Sequence, residues 1–204
     1  MKKIHKVVVT GGQLAGKDTV IKKLKQDLEL NGYYVVATNE IAEYIMMHNI
    51  KPFGEGKIKT IDFQDAVFKK QLFEEDLYLK LMQNISTEKE IVFLVNRGLL
   101  DGKAFLEASQ FEQILSNNNY DIKNVTQRYD IVLCLETMAK LGVYNQHDNN
   151  EVRFQNMQEA INMNDKFLND YAEHFGEKVK YFVAEQEFDS KYNKILNYLL
   201  EILK

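Results

Sequence analysis

The sequence predicts an α/β fold of three layers, in which a five-stranded parallel sheet is covered by helices on both faces. Five short apolar segments alternate with segments of helical periodicity along the chain. Each apolar segment is hydrophobic at successive positions, which indicates a strand buried on both faces. A glycine-rich loop follows the first of these segments directly. The predicted strands are Ile4–Thr10, Tyr33–Thr38, Ile91–Asn96, Tyr129–Leu135 and Val179–Ala184.

The loop after the first strand has the glycine and lysine spacing of a phosphate-binding loop. Its glycines permit backbone angles and close approaches that let successive N–H groups surround an anion. Lys17 adds a mobile positive charge, and the helix that begins near it directs its positive end to the same point. We therefore expect ATP, or alternatively GTP, to bind here. The predicted binding residues are Gly11, Gly12, Gln13, Leu14, Ala15, Gly16, Lys17, Asp18 and Thr19.

Two helices are predicted between the second and third strands, over residues 40–49 and about 61–85. The only proline, Pro52, lies between them beside Gly54 and Gly56, and it marks a loop at the rim of the site. The longer helix is expected to bury one apolar face. The residues of that face are Val67, Leu72, Phe73, Leu77, Leu81 and Met82.

Polar residues follow the third strand at its carboxyl end. If this strand lies beside the first, Asn96 and Arg97 emerge next to the bound phosphates. Arg97 is expected to contact phosphate or acceptor through its planar guanidinium group. Asp101 follows about one helical turn later and has two interpretations. It either belongs to the site or serves as the N-cap of a helix from about Gly102.

The last third of the chain carries the fourth and fifth strands and two amphipathic helices. Cys134, the only cysteine, is interpreted as a small buried hydrophobe rather than a nucleophile. The polar segment 145–150 predicts a loop, which either closes over a nucleotide or is a plain solvated connection. Both helices are most simply core helices, with a partner or membrane surface as the alternative for the last one. Their apolar residues are Phe154, Met157, Ile161, Phe167, Leu168 and Phe175, then Ile195, Leu196, Leu199, Leu200 and Leu203.

Composition narrows the functional class. A length of 204 residues with 45% hydrophobic content is expected to form one domain over residues 1–204. A net charge of −4 argues against a general nucleic-acid binder. No apolar run approaches bilayer length and no signal peptide is evident, so we expect a cytoplasmic protein without membrane insertion. The four histidines lack zinc-ligand spacing.

Seven motifs follow one another along the chain: GGQLAGKDT, NEIAEYI, NRGLLDG, RYDIVLCLETMA, YNQHDNNEVRF, QEAINMNDKFLNDYAEHF and EFDSKYNKI. In this order they make the chain resemble a family of AAA-type P-loop proteins. Members of that family include the ribosylnicotinamide kinase domain of a bacterial NAD regulator and a translocation-defect GTP-binding protein. The family is related to thymidylate and deoxynucleoside kinases, and the resemblance extends over nearly the full length.

This resemblance implies a P-loop kinase-like fold of strand order 2-3-1-4-5 that binds a nucleoside triphosphate with Mg²⁺. It also implies a helical acceptor-side region at about 40–86 and a lid at about 136–153. Glu40 would face a small-molecule phosphoryl acceptor, and Arg153 would contact the transferred or donor phosphate. Many relatives have an arginine where this chain has Glu43, so the resemblance does not identify the acceptor. A homodimer is compatible with it.

Two residues depart from the family pattern at the expected metal site. Asp18 stands where a serine or threonine usually binds Mg²⁺, and Asn96 stands where the family has an acid. In one interpretation the roles are exchanged, with Asp18 as the anionic ligand and Asn96 as a neutral one. In a second, Thr19 contacts phosphate and Asp18 points to solvent. In a third, Asp18 repels the phosphates and weakens binding.

Three functions follow from these observations. In the leading hypothesis the protein is a kinase in which Lys17, Arg97 and Arg153 neutralise charge on the phosphates. Glu40 or Asp101 would then serve the acceptor. The second hypothesis is a regulatory ATPase or GTPase, and the third is a catalytically weakened nucleotide-binding module kept for its interactions.

Overall fold

The computed structural model describes residues 2–143 and 156–204. Its five strands form one parallel sheet of order β2-β3-β1-β4-β5, which confirms the predicted P-loop kinase-like fold. Every predicted strand is present, with ends within two residues of the expected ones. The strands are β1 Ile4–Gly11, β2 Tyr34–Ala37, β3 Ile91–Asn96, β4 Ile131–Leu135 and β5 Val179–Phe182.

Helices pack on both faces of this sheet, and each face has its own apolar cluster. The first and last helices cover one face, and the third to sixth helices cover the other. Short 3-10 turns occupy Asp101–Phe105, Met138–Leu141 and Gly176–Lys178. The helices are α1 Lys17–Leu30, α2 Ile41–Met47, α3 Thr60–Gln83, α4 Ala108–Asn117, α5 Ile122–Gln127, α6 Met157–Phe175 and α7 Phe188–Ile202.

The predicted apolar face of α3 is wrong in its central part. Phe73, Leu77 and Leu81 are exposed, whereas Met82 is buried and Leu72 is half-buried. The buried face instead combines aromatic residues with polar ones, because a buried carboxylate draws hydrogen-bond donors to this side of the helix. The buried residues of α3 are Phe63, Gln64, Phe68, Gln71, Glu75 and Met82.

The two C-terminal helices belong to the core. In α7 the predicted stripe is buried at Ile195, Leu199 and Leu203, which confirms the core interpretation. In α6 the predicted Phe167 and Phe175 are buried, whereas the predicted Met157 is exposed. The buried residues of α6 are Ala160, Asn164, Phe167, Tyr171 and Phe175. Phe154 lies outside the described residues.

The register of the sheet brings the predicted site residues to one edge. Val9 of β1 lies opposite Asn96 of β3, and Gly11 lies opposite Leu135 of β4. The carboxyl ends of three central strands therefore meet around the glycine-rich loop, where open α/β sheets bind their ligands. Within the described ranges, every helix is too short or too polar to cross a membrane.

Candidate functional site

The glycine-rich loop connects β1 to α1 and packs tightly against β4 on one side and α6 on the other. Gly11 has φ of +142°, and a Cβ added there would lie 2.1 Å from the carbonyl oxygen of Leu135. A Cβ on Gly12 would lie 2.9 Å from the Cβ of Asn164 on α6. Only glycine fits at either position without moving a neighbouring residue. The close approach of these two glycines is to Leu135 and Asn164, and their predicted role around an anion stays a prediction.

Side chains from distant parts of the chain hold the outer side of the loop. Asn164 Oδ1 accepts hydrogen bonds from the N–H groups of Gly12, at 2.9 Å, and Thr137, at 3.1 Å. The hydroxyl of Thr137 donates to the carbonyl oxygen of Gln13 at 2.6 Å. Lys191 Nζ donates to the carbonyl oxygen of Ala15 at 3.3 Å. The N–H groups in the first turn of α1 have no partner within the helix and remain suited to an anion.

Lys17 lies buried at the base of the loop, where its Nζ donates to the carbonyl oxygen of Gly12 at 3.1 Å. Burial, together with the positive charge of Arg97, lowers the pKa of Lys17 to about 8. The carboxylates of Glu40, Asp18 and Asp101 act in the opposite direction. A bound phosphate would supply the negative charge that this buried ammonium group lacks.

Arg97 joins the loop to the predicted acceptor side. Its Nε lies 2.9 Å from Glu40 Oε1, and its Nη1 lies 3.0 Å from Asp101 Oδ2. The same Nη1 donates to the carbonyl oxygen of Gly11 at 3.2 Å, and the guanidinium lies over the ring of Phe167. Burial by itself lowers the Arg97 pKa, but the two carboxylates outweigh burial and raise it above the ordinary value.

Glu40 stands at the carboxyl end of β2, immediately before α2. Burial would raise the pKa of its carboxyl group, but the charges of Arg97 and Lys17 outweigh burial and lower it. Glu40 is therefore held as a carboxylate beside two cations. An ionised carboxylate in this position accepts hydrogen bonds but has little tendency to keep a proton.

The carboxylate of Asp101 accepts hydrogen bonds from several surrounding groups and does not cap a helix. Leu100 occupies the cap position of the 3-10 turn, so the N-cap interpretation of Asp101 is wrong. The carboxylate instead accepts hydrogen bonds from the hydroxyls of Thr10 and Tyr171, at 2.8 and 2.7 Å, and from the N–H of Gly98. With Arg97 added, hydrogen-bond donors engage both oxygens of this carboxylate.

The two unusual residues of the expected metal site contact each other. Asn96 Nδ2 donates to Asp18 Oδ1 at 2.7 Å. Asn96 is buried, and its Oδ1 has no hydrogen-bond partner among the described residues. Asp18 and Thr19 are exposed toward the cavity. The side-chain oxygens of Asp18 and Thr19 and the unpaired Oδ1 of Asn96 are suitable ligands for a hard cation such as Mg²⁺. This ion usually retains waters and binds substrate phosphates.

No set of three or more His, Cys, Asp or Glu side chains in residues 2–143 and 156–204 is arranged to hold a metal.

A cavity of about 580 Å³ opens beside the loop. Lys17, Asp18 and Arg97 line one end, and the other end lies between α2, α3 and the Asp101–Phe105 turn. Gln64 is almost fully buried in its wall, and its side chain makes no hydrogen bond within the described part of the chain. The aromatic residues in the wall are Phe53, Phe63, Phe68, Phe105, Phe111 and Phe167.

The cavity brings together most of the predicted site residues. Lys17, Asp18, Thr19, Glu40, Arg97 and Asp101 all line it, and Asn96 reaches it through Asp18. Arg153 and residues 144–153 of the predicted lid lie outside the described residues. Sequence reasoning missed Asn164 and Lys191, although a lone buried polar residue within an apolar helical stripe is a usable signal for each.

Comparisons with known proteins agree with this architecture. A family model described as an AAA domain matches residues 6–183. The chain is similar to a crystal structure of NadR protein in complex with NR, at 19% identity and a TM-score of 0.66, covering 97% of this chain and 51% of that one. It is also similar to a crystal structure of NadR protein in complex with NAD and AMP-PNP, at 18% identity and a TM-score of 0.64, covering 97% and 49%.

The chain therefore spans about half the length of these solved structures. At such identities the likeness shows the fold alone. No curated protein matches the chain.

Proposed function

The chain belongs to the AAA-domain family whose model matches residues 6–183, and on this premise we propose that it is an ATP-dependent small-molecule kinase. The proposed acceptor is a nucleoside, a nucleotide or a ribosylnicotinamide-like molecule. One observation carries the proposal: a single cavity is lined at one end by the phosphate loop and at the other by an aromatic pocket. Phosphoryl transfer consists largely of holding two substrates in line in such a space.

The donor side of the proposed mechanism uses Gly11 to Thr19. The loop N–H groups and the N-terminus of α1 would bind the phosphates, and buried Lys17 would bridge to the outer ones. Arg153 is proposed as a further phosphate contact from the lid, assigned to residues 136–153. Neutralising charge on the transferred group is the main electrostatic contribution expected of these cations.

Among the interpretations of Asp18, the geometry best supports the exchange of roles with Asn96. The hydrogen bond between them holds the carboxylate beside β3, next to the unpaired Asn96 Oδ1. Asp18, Asn96 and Thr19 are therefore proposed to hold Mg²⁺ directly or through water. When bound, the ion would offset negative charge on the phosphates.

The acceptor side is assigned to residues 40–86 and the turn after β3. Glu40 is proposed to accept a hydrogen bond from the acceptor hydroxyl and so orient it, with Arg97 fixing the carboxylate. Its lowered pKa makes it a weak base, but a loose transition state requires little early proton removal. Aromatic side chains around the unpaired amide of Gln64 suit a planar ring that carries both a donor and an acceptor.

The direct experiment incubates the protein with ATP, Mg²⁺ and a panel of nucleosides, nucleotides and ribosylnicotinamide, and detects products by mass spectrometry. We expect one acceptor class to gain a phosphoryl group, with ADP formed in equal amount. A Glu40→Gln variant should bind ATP normally and turn over far more slowly. Absence of product across the panel, in a protein that binds ATP, would remove the support for this proposal.

A regulatory NTPase is the second candidate, favoured by one contact. Asn164 connects the phosphate loop to α6, the helix that follows the lid segment, so nucleotide occupancy has a direct route to this helix. Acceptor-independent hydrolysis, together with a nucleotide-dependent change in proteolysis at residues 136–153, would support it over the kinase. Binding of nucleotide without either activity would instead indicate a weakened nucleotide-binding module.

A further inference from the structure

A fully buried carboxylate on α3 lies behind the site. Glu75 Oε2 lies 2.5 Å from Lys6 Nζ and 3.2 Å from two nitrogens of Arg128. Its Oε1 accepts hydrogen bonds from the hydroxyl of Tyr129, at 2.8 Å, and from Gln71 Nε2, at 2.9 Å. Both oxygens of this carboxylate are thus engaged, as a buried charge requires.

Two of the side chains bonded to Glu75 also form hydrogen bonds with the backbone of the segment that follows β3. Gln71 Nε2 also donates to the carbonyl oxygen of Arg97 at 2.7 Å. The hydroxyl of Tyr129 accepts a hydrogen bond from the N–H of Leu99 at 3.0 Å. The backbone of Arg97 to Leu99 is therefore tied at two points to side chains that Glu75 holds in place.

Arg97 needs such support because its backbone is in the left-handed region, with φ of +66°. Residues other than glycine adopt this conformation at a cost in free energy, and they keep it only where surrounding contacts enforce it. The left-handed turn aims the guanidinium between Glu40 and Asp101. The N–H of Arg97 donates to the carbonyl oxygen of Val9 at 3.0 Å, and the hydrogen bond from Gln71 holds the carbonyl oxygen on the other side of this residue.

We propose that Glu75 and Gln71 are positioning residues that hold Arg97 in its working conformation. The effect on turnover rests on the proposed kinase function, whereas the effect on Arg97 geometry does not. Gln71→Met removes the donor but keeps the length of the side chain. Gln83→Met is the matched control, because Gln83 is exposed on the same helix and no hydrogen bond involves its side chain in the described ranges.

The first readout is the Arg97 Nε–H signal in ¹H–¹⁵N spectra, which its bond to Glu40 should shift and protect from exchange. We expect Gln71→Met to lose this protection and Gln83→Met to retain it. In a kinase assay Gln71→Met should lower kcat about 10- to 100-fold with little change in KM for ATP. In an Arg97→Ala background, Gln71→Met should have no further effect.

An unchanged Arg97 signal in a folded Gln71→Met protein would overturn the positioning role. Additive effects of the two substitutions on turnover would overturn it as well. If the signal changes while the wild-type protein phosphorylates no acceptor, the positioning role stands and the proposed function fails.

A separate observation concerns the exposed side of α3. Phe73, Leu77 and Leu81 are 67%, 40% and 53% exposed, and they lie four residues apart on one face of the helix. We name these three residues the α3 stripe. Three large apolar side chains in a row form a contiguous patch rather than the scattered exposure that needs no explanation.

The charges beside the α3 stripe are arranged for a second copy of the same helix. Glu74 and Lys80 lie three residues before and after Leu77. In an antiparallel pair of α3 helices centred on Leu77, Phe73 of each copy lies beside Leu81 of the other. Glu74 of each copy lies beside Lys80 of the other, so two-fold symmetry gives two such charge pairs. Lys80 forms no ion pair in the described part of the chain, so this charge is available to a partner. Glu74 already pairs with Lys70 at 2.7 Å, and in the dimer its carboxylate would be shared between Lys70 and Lys80 of the other copy.

We infer that the α3 stripe is the contact between two copies of this chain, with the two α3 helices antiparallel about Leu77. Analytical ultracentrifugation should detect a wild-type dimer. Leu77→Glu should be monomeric, whereas Leu30→Glu, at an exposed leucine on α1, should remain a dimer. Lys80→Glu and Glu74→Lys should each weaken self-association by at least about 10-fold.

Mixing the Lys80→Glu and Glu74→Lys proteins should give a mixed dimer. One of its two charge pairs joins the new lysine to the new glutamate, and the other joins Glu74 to Lys80 as in the wild type. A wild-type monomer at high concentration would overturn this inference. Dimers that persist in Leu77→Glu, or a mixture that does not associate, would contradict it too.

Discussion

At the scale of single residues, Asp18 and Asn96 act as a pair. Both residues depart from the family pattern at one predicted metal site. The hydrogen bond between them supports the interpretation in which they exchange their roles as metal ligands. The proposed ion therefore meets a carboxylate whose direction is set by a buried neighbour on β3.

We expect Asp18→Asn to remove the magnesium dependence of nucleotide binding, since Asp18 is the only anionic side chain among the three proposed protein ligands. The affinity for AMP-PNP in the presence of Mg²⁺ should fall at least about 10-fold, as measured by calorimetry with and without the ion. Asp62→Asn, at an exposed position in the first turn of α3, should change nothing. An unaltered magnesium effect in Asp18→Asn would contradict the proposed ligand.

Lys191 gives a prediction about pH. Burial lowers its pKa to about 8, while Glu136 and Glu185 oppose this shift. The unfolded chain therefore holds this proton to higher pH than the folded protein does, so stability should rise as pH increases through the folded pKa.

The contribution of Lys191 to this rise should be about 2 kcal/mol between about pH 7 and pH 9.5. Urea unfolding at a series of pH values measures it as the difference in slope between wild type and Lys191→Met. Lys194→Met is the control, because Lys194 is exposed on the same helix and, among residues 2–143 and 156–204, forms only a surface ion pair. Parallel pH profiles for wild type and Lys191→Met would refute the prediction.

At the scale of elements, the strands were the most predictable features and the faces of the long helices the least. A buried parallel strand is recognisable as an unbroken apolar run, which is why Ile91–Asn96 is found with its predicted bounds. In α3 the same reasoning selected Phe73 and Leu77, which are exposed, because hydrophobicity alone does not reveal the buried partners of Glu75.

The phosphate loop itself was predictable because its spacing and the flanking strand and helix are local in sequence. Its outer contacts were not predictable, since Asn164 reaches Gly12 across 152 positions of the chain. The Asn96 and Arg97 segment was recognised, but its left-handed backbone at Arg97 has no signature in a single sequence. Arg153 remains a prediction.

The contact between α6 and the loop can be tested with Asn164→Leu. This change leaves the N–H groups of Gly12 and Thr137 without an acceptor, which should lower the free energy of unfolding by about 1–3 kcal/mol. Nucleotide affinity should fall with it, because the loop is no longer held in its binding conformation. Urea unfolding and calorimetry provide the two readouts.

Asn162→Leu is the control on the same helix, since Asn162 is exposed and its side chain accepts a hydrogen bond only from Gln158 within the part of the chain that the structure describes. We expect its nucleotide affinity to match the wild type. Equal effects of the two substitutions on nucleotide binding would show that Asn164 has no special role at the loop.

At the scale of the whole molecule, the sheet brings three strand ends to one ligand, so binding should stabilise the fold as a unit. AMP-PNP with Mg²⁺ at about one hundred times its Kd should raise Tm by about 5–10 °C. The Lys17→Met protein should show no such rise. Differential scanning fluorimetry measures the shift, and an equal shift in both proteins would place the nucleotide elsewhere.

The bond from Lys191 to the carbonyl oxygen of Ala15 has a consequence for synthesis. The ribosome makes the phosphate loop long before α7, the helix that carries its last supporting side chain. A nascent chain that has released only β1 to β4 would present the loop without Asn164 or Lys191. We therefore expect nucleotide to give its full stabilisation only after α7 has left the exit tunnel.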